Sequence, residues 1–102
     1  MREAKRKRLE AKGWRTGTTR EFLGLSAQEE ALIELKLQLA ASLRRRRVRR
    51  RLTQTELARI LKSSQSRVAK MEAGDPSVSL DLIVRSLIAL GASARDVARA
   101  IS

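Results

Sequence analysis

Residues 52–74 read LTQTELARILKSSQSRVAKMEAG and predict two short helices joined by a tight turn. Thr53 and Glu56 have the spacing of a capping box, in which the hydroxyl accepts from a free amide of the first turn and the carboxylate accepts from the amide of Thr53. The apolar residues that follow share one helical face: Leu57, Ala58 and Leu61. The first helix is therefore expected to begin after Thr53 and to bury one side.

The second helix is predicted from its two ends. Ser64 is a suitable N-cap. Val68 and Met71, three residues apart, are expected to point inward. Gly74 is expected to end the helix in the left-handed conformation, and Pro76 prevents its continuation.

This arrangement is typical of proteins that recognise duplex DNA. A second helix presents polar side chains to a major groove, while the first helix holds it at the required angle. Ala58 is small enough for the two helices to cross closely. The polar residues of the first turns of the second helix are Gln65, Ser66, Arg67 and Lys70.

The stretch resembles the helix-turn-helix of Xre-family regulators, the group of Cro and the lambdoid phage repressors. The resemblance rests on Leu52-Thr53-Gln54, Glu56-Leu57-Ala58, Leu61, Ser64-Gln65-Ser66, Val68 and Met71-Glu72-Ala73-Gly74. It covers residues 43 to 90. The chain departs from the family at Lys62 and Ser63, where the turn usually has glycine and an apolar residue, and at Arg50, which is usually apolar.

The resemblance implies roles for individual residues. Gln65, Ser66 and Lys70 would face base edges, and Arg67 would contact a base or a phosphate. Gln54, at the start of the first helix, and Ser64 would bind phosphates.

The resemblance also implies two structural features. Arg47 would form a structural ion pair with Glu72. Leu43 and Val48 would lie in the core.

Composition limits the classes of function. The chain has 102 residues and a net charge of +12, which favours binding to polyanions, nucleic acid above all. Its aromatic residues are only Trp14 and Phe22, whereas single-strand binders need aromatic side chains for base stacking. These features predict a binder of double-stranded DNA.

The sequence contains neither cysteine nor histidine. The chain can therefore form neither disulfides nor thiolate metal sites, and it lacks the commonest general base. We therefore expect no enzymatic activity, no catalytic residues, no cofactor and no metal. Because no apolar run approaches the length of a membrane span and the basic N-terminus lacks an apolar core, we expect a cytoplasmic protein without membrane contact.

The domain organisation is predicted to change near residue 25. Residues 1–25 would form a basic N-terminal extension with a short helix at 19–23, in which Trp14 packs against something apolar. Its first twelve residues are either a solvated tail or an arm that reaches the DNA. Residues 26–102 would form the DNA-binding domain, with the helix-turn-helix at 53–74.

A long helix is predicted to follow Ser26, which has the capping-box spacing with Glu29. No glycine or proline interrupts it, so that it could run for about 25 residues, longer than an average helix. Its apolar residues form two stripes, Leu32, Leu35, Leu39 and Leu43, and Ile33, Leu37, Ala41 and Val48. We expect both stripes to be mainly core, one against the helix-turn-helix and the other against the N-terminal segment or a second subunit.

An arginine run occupies residues 44–51, interrupted only by Val48. It is either a solvated cationic face or a clamp on DNA phosphates beside the second helix of the helix-turn-helix, which we call the recognition helix. Phosphate contacts release counterions and suit arginine, which favours the clamp. Arg44 and Arg45 are its candidate residues.

The C-terminal region predicts two more helices. Ser79 can cap one, and the residues that would face the core are Leu80, Ile83, Leu87 and Leu90. Gly91 would end this helix, and Ser93 with Asp96 would cap the next, whose Val97 and Ile101 face inward. The expected fold is all-α, a compact four-to-five-helix bundle of the lambda-repressor-like type, with a long first main helix and a basic N-terminal extension.

The expected function is that of a transcriptional regulator, a repressor of its own operon that reads a palindromic operator as a homodimer. A second hypothesis is a HigA-like antitoxin of a type II toxin–antitoxin pair, which also binds a small ribonuclease toxin. A third is a membrane-active or architectural basic protein, because cationic amphipathic helices can lie on anionic lipid.

Overall fold

The structure, a computed structural model, describes residues 26–102, which form five helices and no strand. The helices are α1 (Ala27–Arg49), α2 (Gln54–Leu61), α3 (Gln65–Ala73), α4 (Leu80–Ala89) and α5 (Ala94–Ala100). The predicted all-α helical bundle is confirmed. The predictions for the N-terminal extension, including its short helix and the packing of Trp14, lie outside the described residues.

The described residues belong to two units, which divide between Glu34 and Leu35. The second unit holds the hydrophobic core, to which every helix from α1 to α4 contributes. Its largest fully buried side chains are Leu43, Leu57, Val68, Met71, Ile83, Leu87 and Leu90. Val97 and Ile101, from α5 and its C-terminal end, pack against this core as partly buried residues.

Each helix begins at a hydroxyl side chain that satisfies a free backbone amide. The capping boxes predicted at Thr53 and at Ser93 are both present, with Glu56 and Asp96 as their carboxylates. The serines at positions 26, 64 and 79 accept in the same way from the amide three residues ahead. The helix starts are therefore fixed by local chemistry, as the sequence predicts.

The two helices of the helix-turn-helix end in the same left-handed conformation. Gly74 has φ 66° and Lys62 has φ 54°. Beyond each of them the next amide donates back into the helix, Ser63 N to Ala58 O at 2.8 Å and Asp75 N to Lys70 O at 3.0 Å. Lys62 thus adopts the conformation that glycine favours, at a steric cost of about 1–2 kcal/mol.

The first apolar stripe of α1 joins the core at Leu39 and Leu43, whereas the second stripe is not buried within residues 26–102 and its two expected partners lie outside the described residues. Leu39 and Leu43 are buried, but Ile33, Leu37 and Val48 are 43%, 40% and 53% exposed. Leu32, at the start of the first stripe, is exposed as well.

Val48 therefore lies outside the core, contrary to the implication of the family resemblance. The packed side of α1 follows Leu39, Leu43 and Arg47, which are four residues apart and so lie above one another. Val48, one residue after Arg47, points about 100° further round the helix.

Candidate nucleic-acid interface

The outward side of α3 carries the four polar residues predicted to read bases. All four are exposed: Gln65, Ser66, Arg67 and Lys70. On the inward side Val68 and Met71 have no accessible surface. The helix is thereby held to the core along one side and presents polar groups along the other.

The start of α3 is fixed by Ser64, whose hydroxyl accepts from the amide of Arg67 at 3.1 Å. Such a cap satisfies one of the free amides of the first turn and leaves the others directed outward. The first turn, which carries Gln65 and Ser66, is thus held in a defined position.

An open groove runs beside α3, and we call it the recognition groove. It has a volume of about 320 Å³ and is lined by Ser64, Ser66, Arg67, Lys70, Ser77 and Val78. Its polar groups are hydroxyls, a guanidinium and an ammonium, which can donate to phosphates and to base edges. The groove therefore combines three of the four predicted base readers with one predicted phosphate contact.

Sequence reasoning missed Ser77, which enters the recognition groove from the loop between α3 and α4. Asp75 Oδ1 accepts from the amide of Ser77 at 2.8 Å. Hydrogen bonding with Ser77, first through its side chain and then through its amide, holds the pKa of Asp75 below its ordinary value. A loop residue gives no periodic signal. The turn-forming Asp75-Pro76 pair indicates only that the chain reverses there.

A hydrogen-bonded chain of four side chains connects the core to the recognition helix. Arg47 Nε donates to Glu72 Oε2 at 2.5 Å, and Arg47 Nη2 donates to Glu72 Oε1 at 3.0 Å. Gln54 Nε2 donates to the same Oε1 at 3.2 Å. Gln65 Nε2 donates to Gln54 Oε1 at 2.7 Å.

The inner end of this chain is a buried ion pair. The side chains of Arg47 and Glu72 are only 12% and 3% exposed. Arg47 also donates to the carbonyl of Leu52 at 2.7 Å. The hydrogen bond to Glu72 is the main cause that raises the pKa of Arg47 above its ordinary value.

The position of Gln65 thus depends on groups beneath it. Gln54 bridges the ion pair and Gln65, so the predicted phosphate contact and the first predicted base reader are held by one network. Side-chain amides fixed in this way lose less rotamer freedom when they bind a base edge.

Residues 38–100 match the family model of a helix-turn-helix domain. The chain belongs to this helix-turn-helix family. No curated protein and no solved structure matches it significantly. Helix-turn-helix domains bind DNA and regulate transcription, and the matched residues include the whole of the recognition groove and of the network behind Gln65.

Two arginines of this helix-turn-helix domain were predicted as a phosphate clamp, and the structure separates them. Both Arg44 and Arg45 are exposed. Arg44 precedes Arg47 by three residues and lies about 60° from it around α1. Arg45 precedes Arg47 by two residues and points about 160° away from it, towards α5.

Two further observations describe the chemistry available within residues 26–102. The aspartate and glutamate side chains of this part of the chain form no group that could hold a metal ion. None of its helices combines the length and the apolar composition needed to cross a membrane.

Proposed function

We propose that this helix-turn-helix protein is a sequence-specific regulator of the Xre/Cro type that reads a palindromic operator in the major groove and represses its own operon. The observation that supports the proposal is the polar side of α3. Gln65, Arg67 and Lys70 stand on a helix whose other side is fully buried, and Gln65 is held through Gln54 by a buried ion pair. A rigid helix with defined polar tips can discriminate between base pairs, whereas a mobile basic segment binds all sequences.

The chemistry of each side chain suggests its part in recognition. A glutamine can bond adenine at N6 and N7, and arginine or lysine can bond guanine at O6 and N7. We assign base reading to Gln65, Ser66, Arg67 and Lys70.

Phosphate contacts would set the orientation of the helix on the duplex. We assign them to Gln54 and Ser64 beside α3 and to Arg44 on α1. Arg45, about 160° from Arg47 around α1, is assigned to a phosphate outside the operator. Gln54 would then join the operator backbone to the network that holds Gln65.

A homodimer would place two copies of α3 on one face of the duplex. Half-sites in such complexes lie about one helical turn apart, roughly 34–36 Å. The operator we propose is therefore an inverted repeat with this spacing.

One selection experiment tests the proposal. Duplexes that bind the purified protein are selected from a random pool at two salt concentrations and sequenced. We expect an inverted repeat that is enriched at both salt concentrations. An enriched pool without a common motif would show that the protein binds DNA without reading its sequence.

The control variants separate readers from the rest of the surface. Gln65→Ala and Lys70→Ala should each relax the preference at a defined base position by about 1–3 kcal/mol. Arg85→Ala, which changes an exposed side chain of α4, should select the wild-type motif. If the two reader variants also selected an unchanged motif, the assignment of α3 would be wrong.

A second candidate function is that of an antitoxin which also binds a small toxin protein. It is favoured by the exposed apolar residues of α1, Ile33, Leu37 and Val48, which lie within about 60° of one another around the helix axis and so form one exposed apolar stripe. The test is co-expression with the product of an adjacent small reading frame. The function would be supported if the two proteins co-purified, if co-expression rescued growth, and if both effects were lost in Leu37→Lys. It would be excluded if the adjacent product were not toxic or if co-expression did not rescue growth.

A further inference from the structure

A second cationic groove lies between α1 and α5, and we call it the arginine groove. Its volume is about 300 Å³, and it is open to solvent. The groove is lined by Ser42, Arg45, Arg46, Arg49, Asp96 and Arg99, with Ala100 at its edge. It shares no residue with the recognition groove.

The single carboxylate of the arginine groove does not neutralise its four guanidinium groups. Asp96 Oδ2 accepts from the amide of Ser93 at 2.9 Å, where it caps α5. Its contacts with Arg46 and Arg99 are long, 3.7 Å and 3.9 Å, and the Arg99 side chain is 72% exposed. The groove therefore keeps an excess of three positive charges at neutral pH.

The arginine groove faces away from the side of α1 that supports the recognition helix. Arg47 points towards α3, where it binds Glu72. Arg45 and Arg49 are each two residues from Arg47, so they project about 160° away from it around α1. A straight duplex seated on α3 would not lie along this opposite side.

We propose that the arginine groove binds the phosphate backbone of a second duplex segment while α3 holds the operator. The inference rests on the proposed function, because it takes the first segment as bound by the recognition helix. One molecule would then bridge two stretches of DNA.

Three considerations favour a phosphate backbone in the arginine groove. The planar guanidinium group matches phosphate oxygens with two parallel hydrogen bonds. Each phosphate that is neutralised releases counterions, so the contact gains free energy at low salt. The arginine groove is also open to solvent and keeps its excess positive charge, which the polyanionic backbone of a duplex can neutralise.

A capture experiment tests the bridge. A palindromic operator duplex is fixed to beads and saturated with protein, so that the recognition helices are occupied, and a labelled duplex without the operator sequence is added. We expect the wild-type protein to retain the labelled duplex.

The test variant is Arg45→Gln/Arg49→Gln, which removes two positive charges from the arginine groove. The control variant is Arg59→Gln/Arg85→Gln, which removes two positive charges from exposed sites outside both cationic grooves. Because the test variant loses two phosphate contacts, its capture of the labelled duplex should fall tenfold or more at about 0.1 M salt. The slope of log K against log salt for this capture should become smaller in magnitude by roughly two. The control variant should capture the labelled duplex as wild type does. Both variants should remain on the operator beads, since neither changes α3.

Circular dichroism and the melting temperature of each variant show that it is folded. Arg99→Gln provides an independent change in the arginine groove.

The outcomes distinguish this inference from the proposed function. Failure of the wild-type protein to bind the operator beads would contradict the proposed function. Normal operator binding without capture of the labelled duplex, or equal capture by the two double variants, would overturn the arginine-groove proposal alone. A polyglutamate peptide serves as a second probe. If the groove substitutions weakened binding of this peptide but left capture of the labelled duplex unchanged, the proposal would also be overturned, because the site would then take an acidic protein segment.

Discussion

Arg46 and Arg47 are neighbours in one arginine run, yet they end in opposite surroundings. Arg47 forms two short bonds to Glu72, and both side chains are nearly excluded from solvent. Arg46 lies 3.7 Å from Asp96, and about a quarter to a third of each of these side chains is exposed. The 100° turn between successive residues of a helix sends one arginine towards the recognition helix and the other towards α5.

The contrast shows how one charged segment can serve two purposes. On the side of Arg47 a charge is buried, bonded and used to position other groups. On the side of Arg46 the charges remain in solvent and in excess, so they are available to an anionic partner. The number of arginines does not separate these roles, but the geometry of the helix does.

The largest expected effect is a difference in stability between Arg47→Ala and Arg46→Ala. Arg47→Ala leaves the carboxylate of Glu72 buried without its cation, and it should lower the free energy of unfolding by about 3–5 kcal/mol. Arg46→Ala removes a long, partly exposed contact and should cost less than about 1 kcal/mol. Urea unfolding of the two variants measures both values. Equal losses would show that the two pairs do not differ as their burial indicates.

The network behind the recognition helix predicts an effect of Gln54 on base preference. Gln54→Ala leaves the α3 backbone in place but removes the acceptor for Gln65. Discrimination at the base read by Gln65 should fall by about 1–3 kcal/mol, as in Gln65→Ala, and the two changes should not add. A panel of operators with single base changes measures this coupling. Additive losses would mean that the two glutamines act separately.

A smaller effect should separate Arg44 from Arg45. On a short duplex trimmed to the operator, Arg44→Ala should lower the slope of log K against log salt by about one, equally for all sequences. Arg45→Ala should leave that slope unchanged, because Arg45 lines the arginine groove. Fluorescence anisotropy over a salt series gives both slopes. An equal change in the two variants would place both arginines on the operator backbone.

The smallest effect concerns acid. Hydrogen bonding with Ser93, supported by Arg46 and Arg99, lowers the pKa of Asp96 below its ordinary value of 3.8. A depressed folded-state pKa contributes stability that is complete above the ordinary value and is lost as the pH falls through the lowered one. Between about pH 5 and pH 2 the wild type should therefore lose more stability than Asp96→Asn does. The free energy of unfolding of both proteins is measured as a function of pH, and parallel curves would contradict this role of Asp96.

The parts of the fold that depend on local chemistry could be predicted from the sequence. The capping hydroxyls of Thr53 and Ser93 and their carboxylates lie three residues apart, so their spacing alone determines the bond. The inward residues of α3 and α4 follow the helical period and were assigned correctly. Lys62 shows the limit of this reasoning, because its left-handed conformation is imposed by the chain reversal rather than by its own preference.

The remaining features depend on contacts between distant residues. The apolar periodicity of α1 could not show that Leu37 and Val48 remain 40% and 53% exposed. The arginine groove joins residues more than fifty positions apart, such as Ser42 and Arg99, and the recognition groove gains Ser77 from a loop. Such sites appear only once the helices are packed.

The most direct test of the central claim, that the polar side of α3 enters the major groove, is an NMR titration of the isotopically labelled protein with the selected operator duplex. We expect the largest amide shifts on residues 64–70 and at Gln54, and smaller shifts on α4. Unperturbed amides in α3, together with large shifts on α4 or on the exposed side of α1, would contradict it.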